Sequence, residues 1–138
     1  MATKVHGHLL AGETGELVGV SGTTIGQWAR RGYIRASQSA GTPHVYAVED
    51  VGEAAVVADL LRRGVRHADI RRAIDRLAEA DYGDWPLSEA HLSVTSDRHL
   101  VLHENGTRYA LTPRGWQTVA IPDESDEVRL RLRHGARG

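Results

Sequence analysis

The 138-residue sequence has no cysteine. That excludes a disulfide framework, a thiolate metal site and a cysteine nucleophile. It has no run of 18 apolar residues, so nothing in it reads as a membrane span. It also lacks an excess of either charge: 17 Lys+Arg stand against 18 Asp+Glu, a net −1. A generic polyanion binder is thereby excluded, and any nucleic-acid contact must come from local placement of cations. No Gly-rich phosphate loop is present, because Gly12, Gly15 and Gly19 lack a preceding strand and a Lys-Ser/Thr end. Ser21 and Ser96 lack a Gly-x-Ser-x-Gly context. Met1 to Leu10 carries one Lys, two His and no apolar stretch of signal length, so the expectation is a cytoplasmic protein.

What is present is globular: 41% apolar and 25% charged residues. The charge is unevenly spread. Gly22 to Val48 holds three Arg, one His and no acid. Residues 81–138 carry seven Arg against nine acids. One face of a neutral chain can therefore be positive, although arginine runs are often only a solvated face.

Periodicity gives the element order. Ala11–Val18 reads as a short helix, with Leu10, Thr14, Leu17 and Val18 on one face. Gly19-Val20-Ser21 breaks it. Ser21 is placed to cap a second helix ending at Arg31, accepting from the N–H of Thr23 or Thr24. Ile25, Trp28 and Ala29 form its apolar stripe, and Gly32 stops it. Two short helices so joined form a helix-turn-helix pattern. Arg35 to Tyr46 reads as strand, loop, strand, the form of a wing. Val48 to Arg63 is the clearest helix, with Val51, Ala54, Ala55, Ala58 and Leu61 along one stripe. His67 to Ala80 follows, with Ile70, Ala73, Ile74 and Leu77 inward. The period then changes. His91–Thr95, His99–His103, Thr107–Thr112 and Trp116–Ile121 read as a small antiparallel meander, with Asn105-Gly106 as a hairpin turn. Residues 122–127 read as an acidic linker, and Val128–Arg133 as either an added strand or a tail. The fold class is α+β: a winged helix-turn-helix of four helices plus a wing, then a β meander. The expected domains are 1–82, 83–121 and a charged linker and tail at 122–138.

Four blocks in order carry a resemblance. They are Glu16-Leu-Val-Gly-Val-Ser21, Thr24-Ile25-x-x-Trp28-x-x-x-Gly32-Tyr33-Ile34, Tyr46-x-x-Glu49-Asp50-Val51, and Leu60-Leu61-Arg62-x-Gly64-Val65-x-x-x-Asp69-Ile70-Arg71. Their order and spacing resemble the MerR-like winged helix-turn-helix domain over roughly residues 10–77. The resemblance implies double-stranded DNA as partner, with the second helix in the major groove and the wing on phosphates. Thr23, Thr24 and Gln27 lie opposite Ile25 and Trp28; Gln pairs with adenine and Thr offers a hydroxyl and a methyl. Arg30, Arg31 and Arg35 are the expected phosphate contacts, and Ser21 and His44 complete the set. The sequence departs from the family where it has Gly26 in place of a common Arg, and where the wing ends His44-Val45-Tyr46 in place of Arg-x-Tyr. Ala47 and Arg66 stand where capping hydroxyls are usual. These departures imply weaker or more partner-dependent DNA binding.

Tyr82-Gly-Asp-Trp-Pro86 stops the helix that in many members of the family pairs two subunits. The helical part followed by the meander resembles, in architecture alone, antitoxin-type regulators with a toxin-binding region. The readings are thus a DNA-binding transcriptional regulator, an antitoxin whose C-terminal half binds a partner toxin, and an excisionase-like architectural DNA binder. A homodimer is expected, with the meander as its interface. No enzymatic activity, cofactor or metal is expected: His6, His8, His91, His99 and His103 lack the converging third ligand zinc needs.

Overall fold

The computed structural model describes residues 6–118 and a short strand at 126–127. Five helices precede or overlap the switch to strands: α1 (Ala11–Val18), α2 (Gly22–Arg30), α3 (Val48–Arg62), α4 (His67–Glu79) and α5 (Pro86–Glu89). The strands are β1 (His91–Val94), β2 (Leu100–Glu104), β3 (Thr107–Thr112), β4 (Gly115–Thr118) and β5 (Asp126–Glu127). The architecture is α+β. The described residues up to 58 and those from 59 onward form two compact units, with the boundary inside α3.

In the first unit, α1 packs on α2 through small residues. A Cβ at Gly15 would run into the Val20 carbonyl oxygen, and one at Gly22 would lie 3.1 Å from Gly12 Cα. Side chains cannot enter so close a backbone contact. The expected face of α1 is therefore corrected: Thr14 and Gly15 are buried, whereas Leu10 and Leu17 are exposed. Glu13 reaches back to the Leu10 N–H at 2.8 Å and completes the helix start. Ile25 and Trp28 of α2 join Tyr33, Ile34, Tyr46 and Ala47 in the core.

The wing is slighter than a two-stranded ladder. Its strands meet at one bridge, Ser39 with Val45, by N–H···O bonds of 3.1 and 2.8 Å. Gly41, Thr42 and Pro43 lie in the loop between them. A strap from the N-terminal side supplies the missing pairing. Leu9 and Tyr46 exchange backbone bonds of 2.9 and 2.7 Å, and Val48 N–H donates to His6 O. Gln38 Nε2 donates to Gly7 O at 2.6 Å.

Burial on α3 extends well beyond the expected stripe: Asp50, Glu53, Val56, Val57 and Leu60 are buried along with Val51, Ala54 and Ala58.

In the second unit, α4 packs against α5 and β4. Its N-cap Arg66 offers no side-chain cap; its Nε instead bonds Asp69 at 3.3 Å. The sheet order is β4-β3-β2-β1-β5, all neighbours antiparallel. Asn105 and Gly106 have φ of 52° and 79°, the double positive φ of a type I′ turn between β2 and β3. Register sorts Leu92, Val94, Leu100, Leu102 and Leu111 onto one face, where they are buried. His91, Ser93, Val101 and His103 share the other. His99 lies outside the strands, so His91 and His103 are the facing pair, with Ser93 Oγ and His103 Nε2 bonded at 2.7 Å. The last expected strand is described only to Thr118. The expected acidic linker is corrected at its end, because Asp126–Glu127 pairs with β1. Val128–Arg133 lies outside the described residues.

Candidate nucleic-acid interface

Ser21 opens α2 in extended backbone, and its Oγ accepts the Thr24 N–H at 3.0 Å. The same Oγ donates to Thr24 Oγ1 at 3.0 Å. Ser21 and Thr24 are thus bound to each other by capping, and Thr24 is half-buried. Thr23, Gln27 and Arg30 remain exposed at spacings of four and three along one helix row. On the opposite side Ile25 is fully buried and Trp28 nearly so, which fixes the rotation of α2. Arg31 forms the C-cap, and Gly32 takes the left-handed φ of 79° that ends the helix. The Tyr33 N–H then donates to Trp28 O at 2.9 Å. Arg31 and Arg35 are exposed beyond this turn.

His44 is half-buried in the wing. Its Nδ1–H donates to the Gly41 carbonyl at 2.8 Å. Its edge meets Tyr46 at a centroid distance of 6.2 Å. Tyr46 is fully buried and its hydroxyl has no hydrogen-bond partner. Burial pushes that phenol up, the Asp50 carboxylate pushes it further, and Arg30 partly offsets both. Tyr46 is accordingly an anchor of the wing, and Arg30 lies near enough to its base to be felt there.

A residue missed in the sequence organises this region. Asp50 is fully buried, and its Oδ2 accepts three donors: Ser37 N–H at 2.9 Å, Ser37 Oγ at 2.7 Å and Ala47 N–H at 2.8 Å. Ala47 has no hydroxyl to cap α3, and Asp50, three residues later, reaches back in its place. The same oxygen holds the chain entering the wing. The Ala47-to-Asp50 spacing was visible; the bond to Ser37 had no local signal.

The acids beside the basic stretch are withdrawn from solvent or engaged. Asp50 is buried, and Glu49 bonds His6 through both carboxylate oxygens, at 3.2 Å to the N–H and 3.0 Å to Nδ1. Burial raises the Glu49 carboxyl, but the His6 bonds outweigh it and hold it low. The exposed side of α2 and the wing is left with Arg30, Arg31 and Arg35.

A family model described as MerR HTH family regulatory protein matches residues 11–77. Residues 11–77 are a MerR-like helix-turn-helix domain. That match spans α1, α2, the wing, α3 and most of α4, the order in which the four sequence blocks occur. Comparison with curated proteins and with solved structures returns no match. No helix among the described residues is long and apolar enough to cross a membrane, and among them no group of three or more His, Asp or Glu is placed to hold a metal.

Proposed function

We propose that this chain is a transcriptional regulator that reads double-stranded DNA with the exposed row of α2. The observation that carries the reading is the rotation of that helix: burial of Ile25 and Trp28 turns Thr23, Gln27 and Arg30 outward together. Gln27 has the amide that pairs with adenine, and Thr23 supplies a hydroxyl and a methyl. Arg30, Arg31 and Arg35 engage phosphates. Of the eight residues anticipated for contact, Ser21 and Thr24 act by capping α2, and His44 by shaping the wing. The DNA-reading function is assigned to residues 1–82.

The test is a gel shift on DNA upstream of the chain's own gene. Specific retardation that Gln27→Ala loosens, by about 1–3 kcal/mol at one base pair, supports the reading. Binding unchanged by Gln27→Ala refutes α2 as the reader. Arg30→Ala and Arg31→Ala are expected to weaken all sequences alike.

A protein partner at the C-terminal half is the second reading. It is favoured by the sheet order, in which β4 stands at an outer position with one edge unpaired among the described residues. Such an edge accepts a strand from a second copy or from another protein. Gel filtration separates a homodimer from a heteromeric antitoxin–toxin pair, and DNA bending without a transcriptional effect would favour an architectural role.

A further inference from the structure

Gly26 breaks a local rule without an internal reason. Glycine inside a helix costs about 1 kcal/mol relative to alanine. The cost falls on α2, a helix of only nine residues. Several glycines nearby are required by the fold, whereas Gly12 of α1 is not, since a Cβ there would meet open space. Gly15 and Gly22 lie where a Cβ would press on backbone, and Gly32 has a left-handed φ. At Gly26 the backbone is helical, and an added Cβ would meet one atom, Arg30 Nη1 at 3.4 Å, the free end of a flexible side chain. The fold would accept alanine there, so no contact among the described residues calls for glycine at this position.

Its position in α2 sets it apart from Gly12. Gly26 follows Thr23 by three residues and precedes Arg30 by four, so it borders the outward row beside Gln27 and is half-buried. The absent side chain leaves bare backbone beside Thr23, Gln27 and Arg30, covered only by the movable end of Arg30. We infer that Gly26 is a close-approach point, where the backbone of α2 meets a base edge in the major groove, and is therefore a determinant of sequence specificity. Glycine permits such approach because nothing projects beyond the backbone. A thymine methyl is a major-groove group small enough to meet bare helix backbone there. The inference rests on α2 being the DNA reader.

The experiment uses the full chain and duplexes selected by it from a random-sequence pool. Anisotropy titrations and thermal melts compare wild type, Gly26→Ala, Gly26→Arg and Gly12→Ala. Gly26→Ala is expected to raise the melting temperature by about 3 °C, and to weaken binding to the selected duplex about tenfold, or 1.4 kcal/mol. Its binding to unselected duplex stays within about twofold of wild type, about 0.4 kcal/mol. Gly26→Arg is expected to tighten binding to unselected duplex through its added cation while losing preference for the selected one. Gly12→Ala fills open space on α1 and leaves affinity unchanged. Equal affinity of Gly26→Ala and wild type for the selected duplex overturns the inference. So does a lowered melting temperature in Gly26→Ala, or a Gly26→Arg that tightens both duplexes alike. An equal loss in Gly12→Ala also overturns it, since the effect would not be local to α2. If wild type selects no duplex at all, the reading of α2 as a DNA reader fails first, a result distinct from selection that Gly26→Ala leaves intact.

Discussion

Asp50 concentrates the support of the wing and the start of α3 on one carboxylate oxygen. Three donors converge on its Oδ2, within a region that excludes water. Removing the acceptor leaves buried N–H groups unpaired, so Asp50→Ala is expected to cost about 2–4 kcal/mol in urea unfolding. Asp50→Asn keeps an acceptor oxygen but loses the charge, and should fall between wild type and Asp50→Ala. A smaller loss for Asp50→Ala than for Asp50→Asn would contradict this role. A second residue-scale prediction is alkaline. Tyr82 Oη donates to Glu104 at 2.6 Å, and burial, then the Glu104 carboxylate, pushes its phenol up from 10.0 to about 12. A raised folded pKa gives stability that is complete below the unfolded value and lost as pH rises through the folded one. Stability should therefore fall between pH 10 and 12, and Tyr82→Phe should flatten that part of the profile. These two residues differ in legibility. Ser21 as a cap is a local event and was readable from its place before Thr23 and Thr24. The bond of Asp50 to Ser37 and that of Tyr82 to Glu104 join distant residues, and no spacing rule reaches them.

Among elements, α1 and β5 show where periodicity misleads. Leu10 and Leu17 lie on the apolar stripe of α1, yet the helix turns its glycine side to α2, since backbone contact at Gly15 and Gly22 leaves no room for leucine. Gly15→Ala is accordingly expected to destabilise the first unit by about 1–3 kcal/mol, whereas helix propensity alone predicts a gain. A measured gain in thermal stability would show that α1 and α2 can move apart. The strand β5 was hidden by its composition: Asp and Glu are poor strand formers, and pairing with β1 at Ser93 and Val94 overrides that preference. Deleting residues 122–138 uncovers that edge of β1. The truncated chain should self-associate more readily in sedimentation than the full one. By contrast, the Asn105-Gly106 hairpin and the extent of β3 followed directly from turn chemistry and alternation, because both are properties of adjacent residues. On the reading side, the Ile25 and Trp28 spacing turns Thr23, Thr24 and Gln27 outward, and Thr23 and Gln27 are exposed while Thr24 is half-buried. The bond from Ser21 Oγ to Thr24 Oγ1 was not legible, since it turns on side-chain geometry.

At the scale of the molecule, net charge and local charge give different answers about DNA. The net of −1 predicts little attraction to nucleic acid in general. Burial of Asp50 and the bonding of Glu49 to His6 leave the arginines of α2 and the turn after it as the local field. Affinity should therefore depend on a few contacts. Each arginine among Arg30, Arg31 and Arg35 that meets a phosphate should lower the slope of log affinity against log salt by about 0.9 when replaced by alanine. An unchanged slope in all three would remove the phosphate role. The strap that runs from His6 to Leu9 alongside the wing also has a use at this scale. His8 is solvent-exposed within it, next to residues that bond Tyr46 and Gln38. A fluorophore placed at position 8 would ride on the wing from a remote point in the chain, outside α2 and its reading row, and its brightness would report when the wing meets a partner.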